Sequence, residues 1–486
     1  MPFLDRFKRS TPVHTPLPFV ILHWVLLAVV YGFLVAKAFL QFSHPADYLA
    51  YYLPQALMDV HMTTYQYGQW AVDMSQGFPG LPILIQGILI RLTHMVSAGN
   101  AVNAVGFGVA ILCIGILYGR SFPLRWFLTF CLTFPLFFYH LTIGFIDLFA
   151  ASMLLLGFAG IHGLATKRRP LLSAIIMIAG LSLAMLSKMT AWPPAVIFGC
   201  YGLYLVAQNV ELKLWSWKTG TLLSVTLVIG VAFFPIRNTV LFHNPTYPVQ
   251  LKVIQRTLPT VSILSSHENP QIPLAVSQSP YTAQFLYSLF EINRWNPKLP
   301  FSWTSFENHG RWFEQDPAGG LFIVSVIVTV LCLGIGLLLK LIEKQSAILF
   351  LVTVGIVSCL PQYVVMRYSL FVPLIAVFLV CTALPRLIFP VRLGESLAFL
   401  ACAFYVALNL GTGFWVIDLS APQTFAPNVA RKFWNDYRND AGYTGYLIVN
   451  GSYPSTIYWA GPDFNTYKIT ENLQDRYQET LIKADK

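Results

Sequence analysis

A succession of apolar runs limits this chain more than any other feature. Each run is close to the ~20 residues that cross a hydrocarbon core as an α-helix, and short basic loops separate them. The runs are continuous rather than alternating, which selects helices. Only 11% of the 486 residues are charged, against roughly 25% in soluble chains. Much of the 15% aromatic content sits at the edges of the runs, as interfacial Trp and Tyr do.

The spans fall at roughly 18–40, 101–118, 123–143, 147–166, 170–186, 191–208, 219–236, 319–340, 347–364, 368–385 and 394–414, about eleven in all. With the N-terminus inside, the inner loops hold Arg120 and Arg125, Lys167 to Arg169, Lys213 and Lys218, Lys340 and Lys344, and Arg386 and Arg392. Every inner loop is then basic, as the positive-inside rule requires. The net charge of +10 is thus a topology signal and not a sign of nucleic-acid binding. An odd number of spans puts the C-terminus on the extracytoplasmic face of a bacterial inner membrane. The first run is too long for a signal-peptide core and lacks a small-residue cleavage site, so it reads as an uncleaved span.

Residues 79–96 (PGLPILIQGILIRLTHMV) are apolar enough to span. A crossing there would turn the basic loops outward, so the segment is expected along the outer interface as an amphipathic helix, with Arg91 and His94 toward headgroups. The expected organisation is all-α: a transmembrane module over 1–414, with large outer loops at about 42–100 and 238–318, and an extracytoplasmic tail over 415–486. In the tail, Tyr446–Asn450 and Thr466–Ile469 read as strands around a short helix at Ser455–Ala460, a small α/β element. All seven cysteines fall in apolar runs, without metal-pair spacing.

Ionisable residues at the outer ends of spans are the candidates for chemistry. Asp47, in His44-Pro45-Ala46-Asp47-Tyr48-Leu49-Ala50-Tyr51-Tyr52-Leu53-Pro54, follows the first span closely. A carboxylate there can accept a proton from an attacking hydroxyl, or simply cap the next helix. Asp147, in Gly144-Phe145-Ile146-Asp147-Leu148, begins the fourth span and has the same two readings. Lys188, Arg237 and Arg367 are cations on the side where cations are few. They either snorkel to lipid phosphates or hold a phosphate of a substrate. A divalent cation, Mg or Mn, bridged by Asp47, Asp147 and a donor phosphate is the one cofactor left open. No nucleotide-binding or serine-nucleophile motif occurs.

These motifs, in this order, resemble those of the GT-C superfamily of membrane glycosyltransferases. Asp47-Tyr48-Leu49-Ala50-Tyr51-Tyr52-Leu53-Pro54 resembles the first-loop acidic motif, with Tyr52 in place of a histidine. Gly144-Phe145-Ile146-Asp147-Leu148 resembles the second acidic motif, and Leu186-Ser187-Lys188-Met189-Thr190 a Leu-Thr-Lys segment. Arg237-Asn238 with His243-Asn244-Pro245-Thr246-Tyr247-Pro248 resembles an Arg-Asn…Gly-Asn-Pro-x-Tyr-Pro pattern. Met366-Arg367-Tyr368 resembles an Arg-Tyr opening a late span, and Gly461-Pro462-Asp463-Phe464 a tail segment. The resemblance implies an inverting transfer from a polyprenyl-phosphate-linked sugar to a lipid, glycan or protein acceptor. It implies Asp47 and Asp147 as catalytic carboxylates, and Lys188, Arg237, Arg367, Tyr51 and His243 as substrate contacts. Protein mannosyltransferases, lipid A aminoarabinose transferases and oligosaccharyltransferases share this layout, and the Trp-Trp-Asp motif of the last is missing. A transporter or flippase, a polymerase or ligase of lipid-linked glycans, and a non-catalytic scaffold are the competing classes.

Overall fold

A computed structural model describes residues 17–41, 48, 52–61, 79–132, 134–208, 217–245, 279–290, 322–360, 363, 366–383, 400 and 417. Asp47, Tyr51, most of the span expected at 394–414 and the tail's α/β element lie outside the described residues. Within them the architecture is helical, without strands.

In chain order the helices are α1 (Leu17–Leu40), α2 (Leu53–Asp59), α3 (Leu81–Thr93), α4 (Val102–Tyr118), α5 (Leu124–Leu132), α6 (Pro135–Leu141) and α7 (Asp147–Ala165). They continue as α8 (Pro170–Met185), α9 (Trp192–Gln208), α10 (Trp217–Phe242), α11 (Tyr281–Phe290), α12 (Phe322–Leu338), α13 (Lys344–Ser358) and α14 (Phe371–Ala383). Short 3₁₀ turns precede α4, α9 and α14. Proline stands in the first turn of α2, α3, α6 and α8. First-turn N–H groups have no acceptor within the helix, so proline loses nothing there.

One expected span is divided. Residues 123–143 form α5 and α6, separated at Phe134, whose φ of −95° and ψ of 105° are extended. Pro135 is the cause, because a proline ring disfavours helical geometry in the residue before it. Among the described residues, four helical stretches are long and apolar enough to cross a membrane: Val20–Leu40, Val96–Tyr118, Asp147–Ala165 and Met189–Gln208. α8, α13 and α14 are shorter apolar helices. At 13 residues, α3 is among the shortest. At ~1.5 Å per residue it reaches about 20 Å, short of a ~30 Å hydrocarbon core.

α7 is the centre of the bundle, buried along almost all its length. It packs most closely on α8, and also on α4, α9 and α14. The α7–α8 contact depends on small residues. A side chain at Gly160 would strike the backbone of Met177, and one at Gly180 the backbone of Gly157. Such close approach is how helices associate in lipid, where apolar burial alone supplies no drive. The periphery is apolar outward, through Val25 and Val29 on α1, Leu112 on α4, and Val228 and Ile229 on α10. Lipid is the solvent such a surface suits.

The two ends of the bundle differ. At one end meet the C-terminus of α1, the starts of α4, α7, α9 and α14, and the end of α8. Ser97 Oγ donates to the Phe39 carbonyl at 2.5 Å, Asn100 Nδ2 to the Gln41 carbonyl at 2.9 Å, and the Leu81 amide to the Leu186 carbonyl at 3.1 Å. At the other end lie Lys167, Arg168 and Arg169, in the turn between α7 and α8. Arg169 Nη1 donates to the Ile116 carbonyl at 2.8 Å. The end of α4 and the residues between α12 and α13, where Lys340 lies, meet there. These are the loops whose basic character sets the expected topology.

Candidate functional site

The site is assembled by the loop between α6 and α7. Asn103, in the first turn of α4, is fully buried. Its Nδ2 lies 2.6, 3.1 and 2.5 Å from the carbonyls of His140, Ile143 and Phe145, and its Oδ1 accepts from the Phe149 amide at 2.9 Å. One side chain thus gathers the loop and the first turn of α7. Gln86 Nε2 on α3 donates to the Gly144 carbonyl at 2.8 Å. Tyr48, fully buried, donates to the Val96 carbonyl at 3.2 Å and lays its ring where any side chain at 144 would stand. Glycine is required at 144 by that approach.

This clamp holds Asp147 as the first residue of α7. Its carboxylate, 1% exposed, receives Lys188 Nζ at 2.5 Å. Lys188 is extended between α8 and the 3₁₀ turn Met189–Ala191. The turn is tied down where Tyr363 donates through its hydroxyl to the Thr190 carbonyl. Ser369 Oγ donates to the Tyr363 carbonyl at 3.1 Å. The 3₁₀ turn Met366–Ser369, carrying Arg367 and Tyr368, is therefore fastened to the segment that carries Lys188.

Tyr368 serves both cations. Lys188 Nζ lies 4.3 Å from its ring centre and the Arg367 guanidinium 4.9 Å. Arg367 also covers the Phe145 ring at 4.6 Å and donates from Nη2 to the Tyr368 hydroxyl at 2.9 Å. Aromatic faces hold cations in place without neutralising them. The buried His140 ring stacks on Phe145 at 5.5 Å. Burial alone would lower the Lys188 pKa, but the adjacent Asp147 carboxylate raises it further, so the net shift is upward and the ammonium persists. Two cations thus face one carboxylate in a poorly hydrated setting, which suits a phosphate. Asp147 Oδ2 is buried without a hydrogen-bond partner among the described residues.

Of the residues singled out from sequence, Asp147, Lys188 and Arg367 converge. The described contacts of Arg237 are local: its guanidinium lies 5.4 Å from the Phe234 ring centre and 5.8 Å from that of Phe242, with Nη1 donating to Asn238 Oδ1 at 2.9 Å. His243 is exposed at φ 53°, in the left-handed position that closes α10. Asn103, Tyr368 and Phe145 escaped the sequence reading as functional residues. The signal for Asn103 was a neutral polar residue at the mouth of an apolar run. Among the described residues no three His, Cys, Asp or Glu side chains gather as metal ligands.

Asn103→Leu is expected to leave buried loop carbonyls and the Phe149 amide unsatisfied, at about 1–3 kcal/mol per group. Thermal unfolding of the purified protein in detergent would show a lower midpoint, and an unchanged midpoint would remove Asn103 as the organiser of the loop.

No protein-family model matches the chain, and no curated protein matches it. Among solved structures it is similar to ArnT from Cupriavidus metallidurans. The apo structure is 13% identical, covering 93% of this chain and 87% of that one at a TM-score of 0.36. The structure bound to undecaprenyl phosphate is 13% identical, covering 94% and 87% at a TM-score of 0.38.

Proposed function

We propose that this chain is an integral membrane glycosyltransferase of the GT-C type, moving a sugar with inversion from a polyprenyl-phosphate-linked donor to an acceptor on the extracytoplasmic face. The observation that carries this reading is the meeting of Asp147, Lys188 and Arg367 at one end of an apolar bundle, from three helix ends distant in sequence. Among the described residues there, two cations meet one carboxylate, and the two cations suit a donor phosphate. The polyprenyl tail would lie against the lipid-facing helices.

In the proposed step the acceptor hydroxyl oxygen attacks the anomeric carbon as the bond from that carbon to the phosphate oxygen breaks. The acceptor's proton passes to a carboxylate, and the electron pair leaves with the phosphate. Arg367 and Lys188 stabilise the charge that develops on the leaving group. Asp147 is engaged by Lys188, so its role is to hold that ammonium in place. The base is then Asp47, on the strength of its motif. Tyr48, the next residue in the chain, packs on Gly144, three residues before Asp147. No divalent ion is assigned a step, because the described carboxylate already carries a cation and a second one lies beside it.

A flippase would need polar groups along the bundle. The middle turns of α7, Leu154 to Gly160, carry no ionisable side chain, which favours transfer over transport.

The test is transfer of labelled sugar from a polyprenyl-phosphate donor pool into membrane glycans, comparing wild type with Asp47→Asn at matched amounts of folded protein. Loss of a general base lowers rates by about 10²–10⁴-fold, so the variant should fall to background. Equal transfer by both would take Asp47 out of the mechanism. No transfer by wild type from any polyprenyl-linked donor would overturn the reading itself.

A further inference from the structure

The opposite end of the bundle holds a second polar site that the proposed transfer does not use. It is a cavity of about 180 Å³ lined by Tyr118, Ser121, His162, Thr166, Arg168, Glu343 and Thr382 among others. At ~30 Å³ per water this is room for about six waters, more than a single ion needs. The lining carries one fixed cation and one fixed anion. Arg168 lies over the Tyr118 ring at 5.2 Å and donates from Nη1 to Ser121 Oγ, which leaves other guanidinium donors for a ligand. Glu343 is held as the cap of α13, accepting the amides of Gln345 at 2.9 Å and Ser346 at 2.5 Å.

The rest of the wall is rich in acceptors. Ser121 Oγ donates to the Tyr118 carbonyl at 2.7 Å, Thr166 Oγ1 to the His162 carbonyl at 2.7 Å, and Thr382 Oγ1 to the Leu379 carbonyl at 2.7 Å. Each hydroxyl proton is thereby used within its own helix or turn, and what remains is lone pairs. α4 and α7 both end here, and helix C-termini favour cations. A wall of acceptors with a carboxylate suits a ligand bearing several N–H donors. A single guanidinium at the rim suits a phosphate. A plain phosphate would meet the carboxylate and the lone pairs unfavourably, and a quaternary ammonium has no N–H to give them.

We propose that this cavity binds a phosphoethanolamine group, its phosphate on Arg168 and its ammonium among Glu343, Thr166 and Thr382. The site lies at the basic end of the bundle, inner by the expected topology, and at the opposite end from the Asp147 cluster, so its ligand is a structural or regulatory lipid headgroup, or a soluble molecule with the same group.

The experiment is native mass spectrometry of the delipidated full chain with phosphatidylethanolamine, phosphatidylcholine or phosphatidylglycerol added. Glycerophosphoethanolamine is the soluble competitor. Phosphatidylethanolamine should be retained over the other two by about tenfold, the worth of one charge-assisted contact. Arg168→Gln should abolish retention, and Glu343→Gln, whose single amide oxygen keeps one of the two cap bonds of α13, should level the three lipids. Thr382→Val is the variant to use if Arg168→Gln does not fold, and it should lower the preference for the primary ammonium alone. Displacement by glycerophosphoethanolamine would assign a soluble source, and its failure to displace would assign the lipid. Equal retention of the three lipids by wild type, or a preference that survives the substitutions, would overturn the proposal.

Discussion

Arg367→Ala is expected to lower sugar transfer by about two to three orders of magnitude, the usual cost of losing one group that stabilises a developing anion. Arg367 offers its planar donors between two aromatic faces, with Tyr368 and Phe145 setting its orientation. Arg367→Lys keeps the charge but loses the bidentate fork, so it should recover only part of the rate. Transfer measured against donor concentration separates the roles. If Arg367 grips only the ground-state phosphate, KM rises and kcat holds. If it stabilises the leaving group, kcat falls. Full activity in Arg367→Ala would remove the guanidinium from the site.

Asp147→Asn should have the largest effect on the fold. Lys188 would be left part-buried, with Arg367 nearby and no carboxylate against its ammonium. Breaking a buried pair by removing one partner costs about 3–5 kcal/mol, mostly through the charge left behind. The unfolding midpoint in detergent should drop sharply, and transfer with it. The double variant Asp147→Asn with Lys188→Met removes both charges. It should regain much of the stability and none of the activity, a coupling that additive effects cannot give. If the double variant is no more stable than Asp147→Asn alone, the two residues are not the energetic pair described here.

Most of the described helices are legible in the sequence because each span carries its own evidence: an apolar run of the right length bounded by charge, proline or glycine. Sequence reading failed where a local rule cut across that pattern, as at Phe134, where Pro135 divides one expected span into α5 and α6. It marked Asp147, Lys188 and Arg367 as ionisable groups at span ends. It did not reveal that Lys188 neutralises Asp147, or that one tyrosine, Tyr368, supports both cations. It passed over Asn103, whose four contacts are all with residues 37 to 46 positions away.

By itself the sequence determined that this chain is an apolar helical bundle with one basic end, because hydropathy and charge act on each segment independently of its neighbours. Only the tertiary structure decided which ionisable groups meet and which oxygen each donor reaches. Those pairings depend on α4, α7, α8, α9 and α14 bringing their ends together, and no local run of residues encodes that distance.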